Sequence, residues 1–332
     1  MASFERARVL ITGGLGFIGS NLARSLLARG AEVTLLDAMI PSYGARLFNI
    51  AGIEERVRVN ISDIRDPHSL DRLVQGQDFI FCLAGQMSHV DSMRQPFNDL
   101  DINCRGQLHI LESCRRLNPE ARLILSSTRQ VYGRPRYLPV DEAHPIEPVD
   151  INGIHKWAAE QYCELYARVH GLSTIVLRLT NTYGPRMDLM SPDKGFAAIF
   201  VRRALLGEKI QIYGSGEQRR DFNYVSDVVD ALERAALSPL RGRTFNLAHH
   251  QPHSLREFVS LLQSQLKFPF ESVPFPEERQ AIDIGDYYGS YSAFQEATGW
   301  RPEVDLATGL RETVNFYKAH WGEYLPRAEG QR

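Results

Sequence analysis

The stretch "ARVLITGGLGFIGSNLARSLLARG", Ala7 to Gly30, limits the possible folds more than any other part of the chain. An apolar run from Ala7 to Thr12 ends in Gly13, Gly16 and Gly19, spaced three apart, and a helical pattern follows at once. Glycines there permit a tight turn and let backbone N–H groups approach an anion at a helix N-terminus. A glycine triplet alone is weak evidence. Here it stands between a strand and a helix, and Asp37 closes the next strand, "EVTLLD", at the interval expected of a ribose-binding acid. Its carboxylate can accept from ribose hydroxyls and would repel a 2′-phosphate, which predicts NAD rather than NADP. Phe17 and Ile18, inside the triplet, are expected at the same site. The bland reading, a glycine-rich turn beside an exposed acid, does not account for that whole pattern.

Further apolar runs, "DFIFCLA" (Asp78 to Ala84), "ARLILSS" (Ala121 to Ser127) and "STIVLRL" (Ser173 to Leu179), alternate with helical patterns. That alternation predicts an α/β fold with a Rossmann-type doubly wound parallel sheet. Near-continuous apolar strands suit a sheet covered on both faces. After Leu179 prolines interrupt the pattern, until "FNYVSDVVDALERAAL" and "TFNLAHH" suggest a return to the sheet. The expected division is a dinucleotide-binding domain over 1–179 plus about 225–250. A smaller C-terminal α/β lobe would take about 180–224 plus 251–325, with "RAEGQR" a frayed end. Strand ends place Asp63, Ile64, Ala84, Gly85 and Gln86 at the carboxyl edge of the sheet, where ligands bind.

The 38 basic and 40 acidic residues leave a net charge of −2, which gives no reason to expect nucleic acid or an anionic membrane as partner. No apolar run approaches the roughly 20 residues of a membrane span. The chain enters a strand almost at its start, so no signal peptide is expected. Cys82, Cys104, Cys114 and Cys163 have no zinc or disulfide spacing, so no metal is expected, and Cys82 reads as a buried thiol. A soluble cytoplasmic protein follows.

Over nearly its whole length the sequence resembles the extended short-chain dehydrogenases/reductases, the nucleotide-sugar epimerases and dehydratases. "TGGLGFIGSNL" resembles their cofactor turn, "SSTRQVYG" their threonine-bearing strand end, and "NGIHKWAAEQY" their Tyr-x-x-x-Lys helix. "LRLTNTYGPR", "YGSGEQRRDFNYVSDVVDAL" and "TGWRPEVDLATGL" resemble later signatures. The resemblance implies that Thr128 binds the reacting sugar hydroxyl and that Lys156 holds the nicotinamide ribose. Asn181 and Arg220 would grip the nucleotide diphosphate, Tyr213 would wall the nucleoside, and Ser88 would touch substrate. Asn103 and Ser126 join the expected cofactor contacts, and two central helices would pair in a homodimer. In the bland alternatives Lys156 is a surface lysine and Arg220 with Asp221 a minor ion pair.

One position departs from the pattern. Asn152 stands four residues before Lys156, on the same helix face, where relatives carry the tyrosine that takes a proton. An amide can donate and accept hydrogen bonds but cannot exchange a proton near neutrality. Losing a positioned base typically lowers rate on the order of 10²–10⁴. His89, in "GQMSHVDS", is the replacement favoured by its place after the strand Asp78 to Ala84 and by a side chain suited to proton transfer. Lys156 itself is a second candidate, whereas His155 points elsewhere around the helix and Asp150 is expected to cap it. Sugar 4,6-dehydratases carry Asp-Glu where this chain has Arg129 and Gln130, and elimination needs such an acid and base. A nucleotide-sugar epimerase is therefore expected. The alternatives are a dehydratase or decarboxylase with an unusual base, or a weakly catalytic NAD- and nucleotide-sugar-binding protein.

Overall fold

The computed structural model describes residues 3–191, 195–275 and 283–325. Its strands are β1 (Arg8–Thr12), β2 (Glu32–Asp37), β3 (Val57–Ile61), β4 (Phe79–Cys82), β5 (Arg122–Thr128), β6 (Ser173–Leu179) and β7 (Asn181–Tyr183). They continue with β8 (Ile210–Tyr213), β9 (Arg219–Arg220), β10 (Phe222–Tyr224), β11 (Arg243–Leu247), β12 (His253–Ser254) and β13 (Phe270–Val273). Seven form one sheet in the order β11-β6-β5-β4-β1-β2-β3. Every pairing within it is parallel. Three small pairs, β7 with β10, β9 with β12 and β8 with β13, lie outside it.

Period-two alternation explains why the central strands read as continuous apolar runs. Val9 and Ile11 belong to the core on one face, while Leu10 belongs to the core on the other. Phe79 and Phe81 face one way and Ile80 and Cys82 the other. The first face is covered by the helices Phe17–Ala28 and Val225–Leu237, through Leu22, Leu26, Val228 and Leu232. Truncating a fully buried leucine such as Leu26 to alanine would cost about 2–5 kcal/mol. The second face is covered by the helices Gly106–Leu117 and Ile151–His170, through Ile110, Leu111, Ala159 and Cys163. β3 is the exception: as an edge strand its residues are largely exposed.

A third core gathers Tyr183, Phe200, Phe222, Phe258 and Leu310 around the C-terminal helices. The return to the sheet expected near 243–247 is realised as β11, paired with β6. All four cysteines are free and buried, and burial pushes the Cys82 thiol up to about 12. Among the described residues no helix is long and apolar enough to cross a membrane. The tail 327–332, expected to be frayed, lies outside the described residues.

Strand order reverses at β1, with β2 on one side and β4 on the other. Ligands of such sheets bind at that switch point, beyond the carboxyl ends of the strands. A cavity of about 720 Å³ opens there.

Candidate active site

The glycine turn forms one end of the cavity. Gly13 has φ +71°, and a Cβ there would stand 2.9 Å from the Ala84 nitrogen at the end of β4. A Cβ on Gly19 would stand 2.3 Å from the Gly13 carbonyl oxygen. Both positions therefore exclude any side chain, so the backbone itself faces the cavity. Asp37, at the end of β2, accepts from the Leu15 and Met39 N–H groups at 3.0 and 2.9 Å. Burial raises its pKa, against those two bonds. The residues present thus fit a dinucleotide: a bare backbone cradle for phosphates, then a fixed carboxylate where ribose hydroxyls would come. Phe17, Ile18, Asp63, Ile64, Ala84, Gly85, Gln86 and Ser126 border the same cavity.

Two of the expected residues do not border the cavity. Ser88 does not border the cavity: it is buried and its hydroxyl caps the helix His89–Arg94, accepting from the Asp91 N–H at 3.1 Å. Asn103 is also set back, because its amide clamps the Gln86 backbone, donating to the carbonyl at 2.9 Å and accepting from the N–H at 3.2 Å. It supports the cavity wall through the Gln86 backbone.

The helix Ile151–His170 carries the other end of the site. Asp150 caps it, accepting from the Gly153 N–H at 2.7 Å. Asn152, Lys156 and Glu160 follow at four-residue spacing, and all three are buried. Lys156 donates to the Ser126 carbonyl at 3.3 Å. Burial lowers its pKa, while Asp99, Glu160 and Cys82 act the other way. Glu160 binds Arg178 at 2.6 Å and accepts from Ser127, so β5, β6 and the helix are locked together behind the lysine. Such a buried pair is costly to break from one side, about 3–5 kcal/mol.

Asn152 is tied as firmly. Its Nδ2 donates to the Gln86 carbonyl at 2.9 Å, the Gln86 Oε1 at 3.3 Å and Asp99 at 3.0 Å. The other Asp99 oxygen contacts His155 Nδ1 at 2.8 Å, which turns that imidazole away from the cavity. No local pattern marks Asp99, a buried acid in a short helix 53 residues upstream of Asn152.

Thr128 closes β5 and accepts from the Gln130 N–H at 3.2 Å. Thr128, Arg129, Gln130 and His89 all border the cavity. His89 contacts Asp150 through Nδ1 and Gln130 through Nε2. Burial opposes the charge on Asp150, but the His89 bond and charge, the Gly153 N–H and Arg129 hold its carboxyl below the ordinary range. Asp150 thus fills the capping role its position predicts and a second role, at His89, that no local signal marks.

Asn181 and Arg220, from β7 and β9, border the cavity as well, as does Tyr213, whose ring lies 5.7 Å from Phe275. Asn181 donates to the Asp221 carbonyl at 2.9 Å. Arg220 is buried and donates to the backbone of Arg219 and Gly285. Burial and the nearby Arg129 charge bring its pKa down to about 10. Arg129 lies over the Tyr287 ring, 4.8 Å from its centre, and burial lowers its pKa too. Two desolvated guanidinium groups sharing one cavity favour an anion between or beside them.

Fold and cavity together define a dinucleotide-binding protein of the extended short-chain dehydrogenase/reductase type. The chain belongs to the NAD dependent epimerase/dehydratase family, whose model matches residues 9–248. It is 33% identical to a putative UDP-glucose 4-epimerase of Methanocaldococcus jannaschii over 93% of this chain and 98% of that protein. It is 32% identical to the UDP-glucuronic acid decarboxylase 1 of Xenopus tropicalis, over 99% of this chain and 77% of that one. Among solved structures it matches the UDP-glucose 4-epimerase of Thermotoga maritima, determined with UDP-glucose. There the TM-score is 0.85 and the identity 30%, covering 95% of this chain and 99% of the other. NAD is accordingly the cofactor.

Proposed function

We propose that the protein is a nucleotide-sugar epimerase: it oxidises a ring hydroxyl of a sugar nucleotide reversibly and restores it with inverted configuration. One observation carries this reading. The glycine cradle, Thr128, Lys156, Asn181 and Arg220 all border a single cavity. NAD, when bound, supplies reversible hydrogen transfer at a sugar carbon. Gly13, Gly16, Gly19 and Asp37 would hold its diphosphate and ribose, and Lys156 its nicotinamide ribose. Thr128 would bind the reacting hydroxyl. Asn181 and Arg220 would bind the diphosphate of the substrate, with Tyr213 against the nucleoside.

Isomerisation is favoured over elimination by the side chains after Thr128. Arg129 lies on Tyr287 and Gln130 contacts His89, so neither presents a carboxylic acid to a leaving hydroxyl. The carboxylates bordering the cavity among the described residues are Asp37, Asp63, Asp188 and Asp283. None of them belongs to β5 or to the turn that follows it, where the acid and base of a 4,6-dehydratase stand. The test is to supply UDP-, dTDP-, GDP- and CDP-sugars and read products by mass spectrometry and NMR. A product of unchanged mass with one inverted carbon supports the reading; loss of water or of carbon dioxide refutes it in favour of a lyase. A protein that binds these compounds without altering any of them is a binding protein.

The proposal extends to assembly and location. Met93, Phe97, Leu100, Ile154, Trp157 and Leu165 are exposed on the helices His89–Arg94, Pro96–Leu100 and Ile151–His170. A second copy of the chain packed helix against helix would cover them, giving a homodimer. The two-lobe division expected from the sequence, and a place in the cytoplasm, complete this reading.

A further inference from the structure

The reaction proposed above needs a group that takes a proton from the sugar hydroxyl, and Asn152 cannot. We infer that His89 is that group, with Asp150 as its positioning residue; the inference rests on the epimerase reading.

The geometry around the ring is that of an imidazole held for proton transfer. Nδ1 contacts Asp150 Oδ2, while Asp150 Oδ1 is fixed by the Gly153 N–H at 2.7 Å. A buried carboxylate at Nδ1 keeps the proton of the neutral ring on that nitrogen, which leaves the lone pair on Nε2. The same carboxylate stabilises the imidazolium that forms when Nε2 accepts a second proton. Asp150 sits at the N-terminus of the helix that carries Lys156, where the peptide dipoles favour its negative charge.

The other side of the ring meets Gln130. Its Nε2 contacts the ring, and its Oε1 is buried with no hydrogen-bond partner among the described residues. A carboxamide donates from one end and accepts at the other. Against neutral His89 the NH₂ end donates to the ring, and Oε1 stays unpaired. Against protonated His89 a half-turn sets Oε1 on the new N–H, which pairs the orphaned acceptor. Proton uptake is thus matched by a turn of one side chain that completes the local hydrogen bonding. A substrate hydroxyl displaces the carboxamide from Nε2 to reach the lone pair. Thr128 accepts from the Gln130 backbone N–H, so threonine, carboxamide and imidazole form one patch of the cavity wall.

The rival groups are committed elsewhere. Lys156 is buried against the Ser126 carbonyl, and His155 is bound to Asp99 outside the cavity. The step then balances. The sugar O–H breaks and its proton goes to His89 Nε2. The oxygen electron pair forms the C=O bond as the C–H pair leaves as hydride to the nicotinamide dinucleotide. Return of the hydride to the other face of the carbon and of the proton from Nε2 to the oxygen restores an alcohol, and Asp150 stays ionised throughout.

The test uses the NAD-bound protein and a sugar nucleotide that the wild type turns over. His89→Asn should slow single-turnover reduction of the bound dinucleotide on the order of 10²–10⁴-fold with sugar-nucleotide affinity unchanged. Asp150→Asn retains a capping residue and so preserves the helix end, and it should lose rate over the same range. Proton NMR gives a readout separate from turnover. The low-field imidazole N–H resonance expected of the wild type should vanish in both variants. Wild-type reduction rates in His89→Asn overturn the inference, and a wild type without that resonance overturns the part given to Asp150. If no sugar nucleotide reduces the wild type, the epimerase reading fails first and the role of His89 falls with it. That result is seen without any variant.

Discussion

Replacing Asn152 by the tyrosine that its relatives carry should harm this protein rather than repair it. Asn152 is buried, and its amide nitrogen serves the Gln86 carbonyl at 2.9 Å and Asp99 at 3.0 Å. A phenol places its only polar atom at the far end of a rigid ring, so Asp99 Oδ2 loses its Asn152 donor and the Gln86 carbonyl is left with Asn103. A hydrogen bond to a charged group contributes about 1.5–3 kcal/mol and one to a carbonyl about 1, which puts the loss near 3 kcal/mol. Unfolding entropy of roughly 2.1 cal/mol/K per residue gives about 0.7 kcal/mol/K for a chain of this length, hence a Tm lower by about 4 °C. The ring also enters the space beside Thr128 and Gln130, so turnover should fall. Scanning calorimetry and an epimerisation assay on Asn152→Tyr check both numbers. An unchanged Tm with turnover above the wild type would show that Asn152 merely occupies a vacant seat.

Other expectations follow from the same geometry. Gly19→Ala puts a methyl group 2.3 Å from a backbone oxygen; overpacking of about 1–3 kcal/mol would lower NAD affinity roughly 5- to 150-fold, and calorimetric titration with an unchanged affinity refutes the cradle. Lys156→Ala should weaken NAD retention and abolish turnover, and undiminished turnover contradicts its role. Asp221 is buried, and burial raises its pKa from 3.8 to about 6. The folded state then binds the extra proton between those values, so this group makes stability fall as pH rises from about 4 to 6, by up to roughly 3 kcal/mol. Asp221→Asn should flatten that part of a urea-melting profile, and an identical slope would contradict it. Phe97→Glu should turn a dimer into a monomer in sedimentation, with the fold kept by circular dichroism.

How much could be read in advance divides along physical lines. The turn at Gly13, the acid at Asp37 and the strands around them follow from local rules, since period, glycine spacing and strand ends act within a few residues. Ser88 and Asn103 were expected at the site by resemblance, which says nothing of which way a side chain turns, and both turn toward backbone groups. Asp150 and His89 lie 61 residues apart and Asn152 and Asp99 53, so only the packing of one helix against two short ones brings them together. A residue type can announce a chemistry; its partner is set by the fold.

The helix Ile151–His170 has two working faces. Asn152, Lys156 and Glu160 point inward, and Ile154, Trp157 and Leu165 outward. Whatever covers Trp157 would pack against the same helix that holds the lysine one residue before it. Should a twin molecule dock there, each would brace the other's chemistry, and dilution would be felt as a loss of catalysis before any loss of shape.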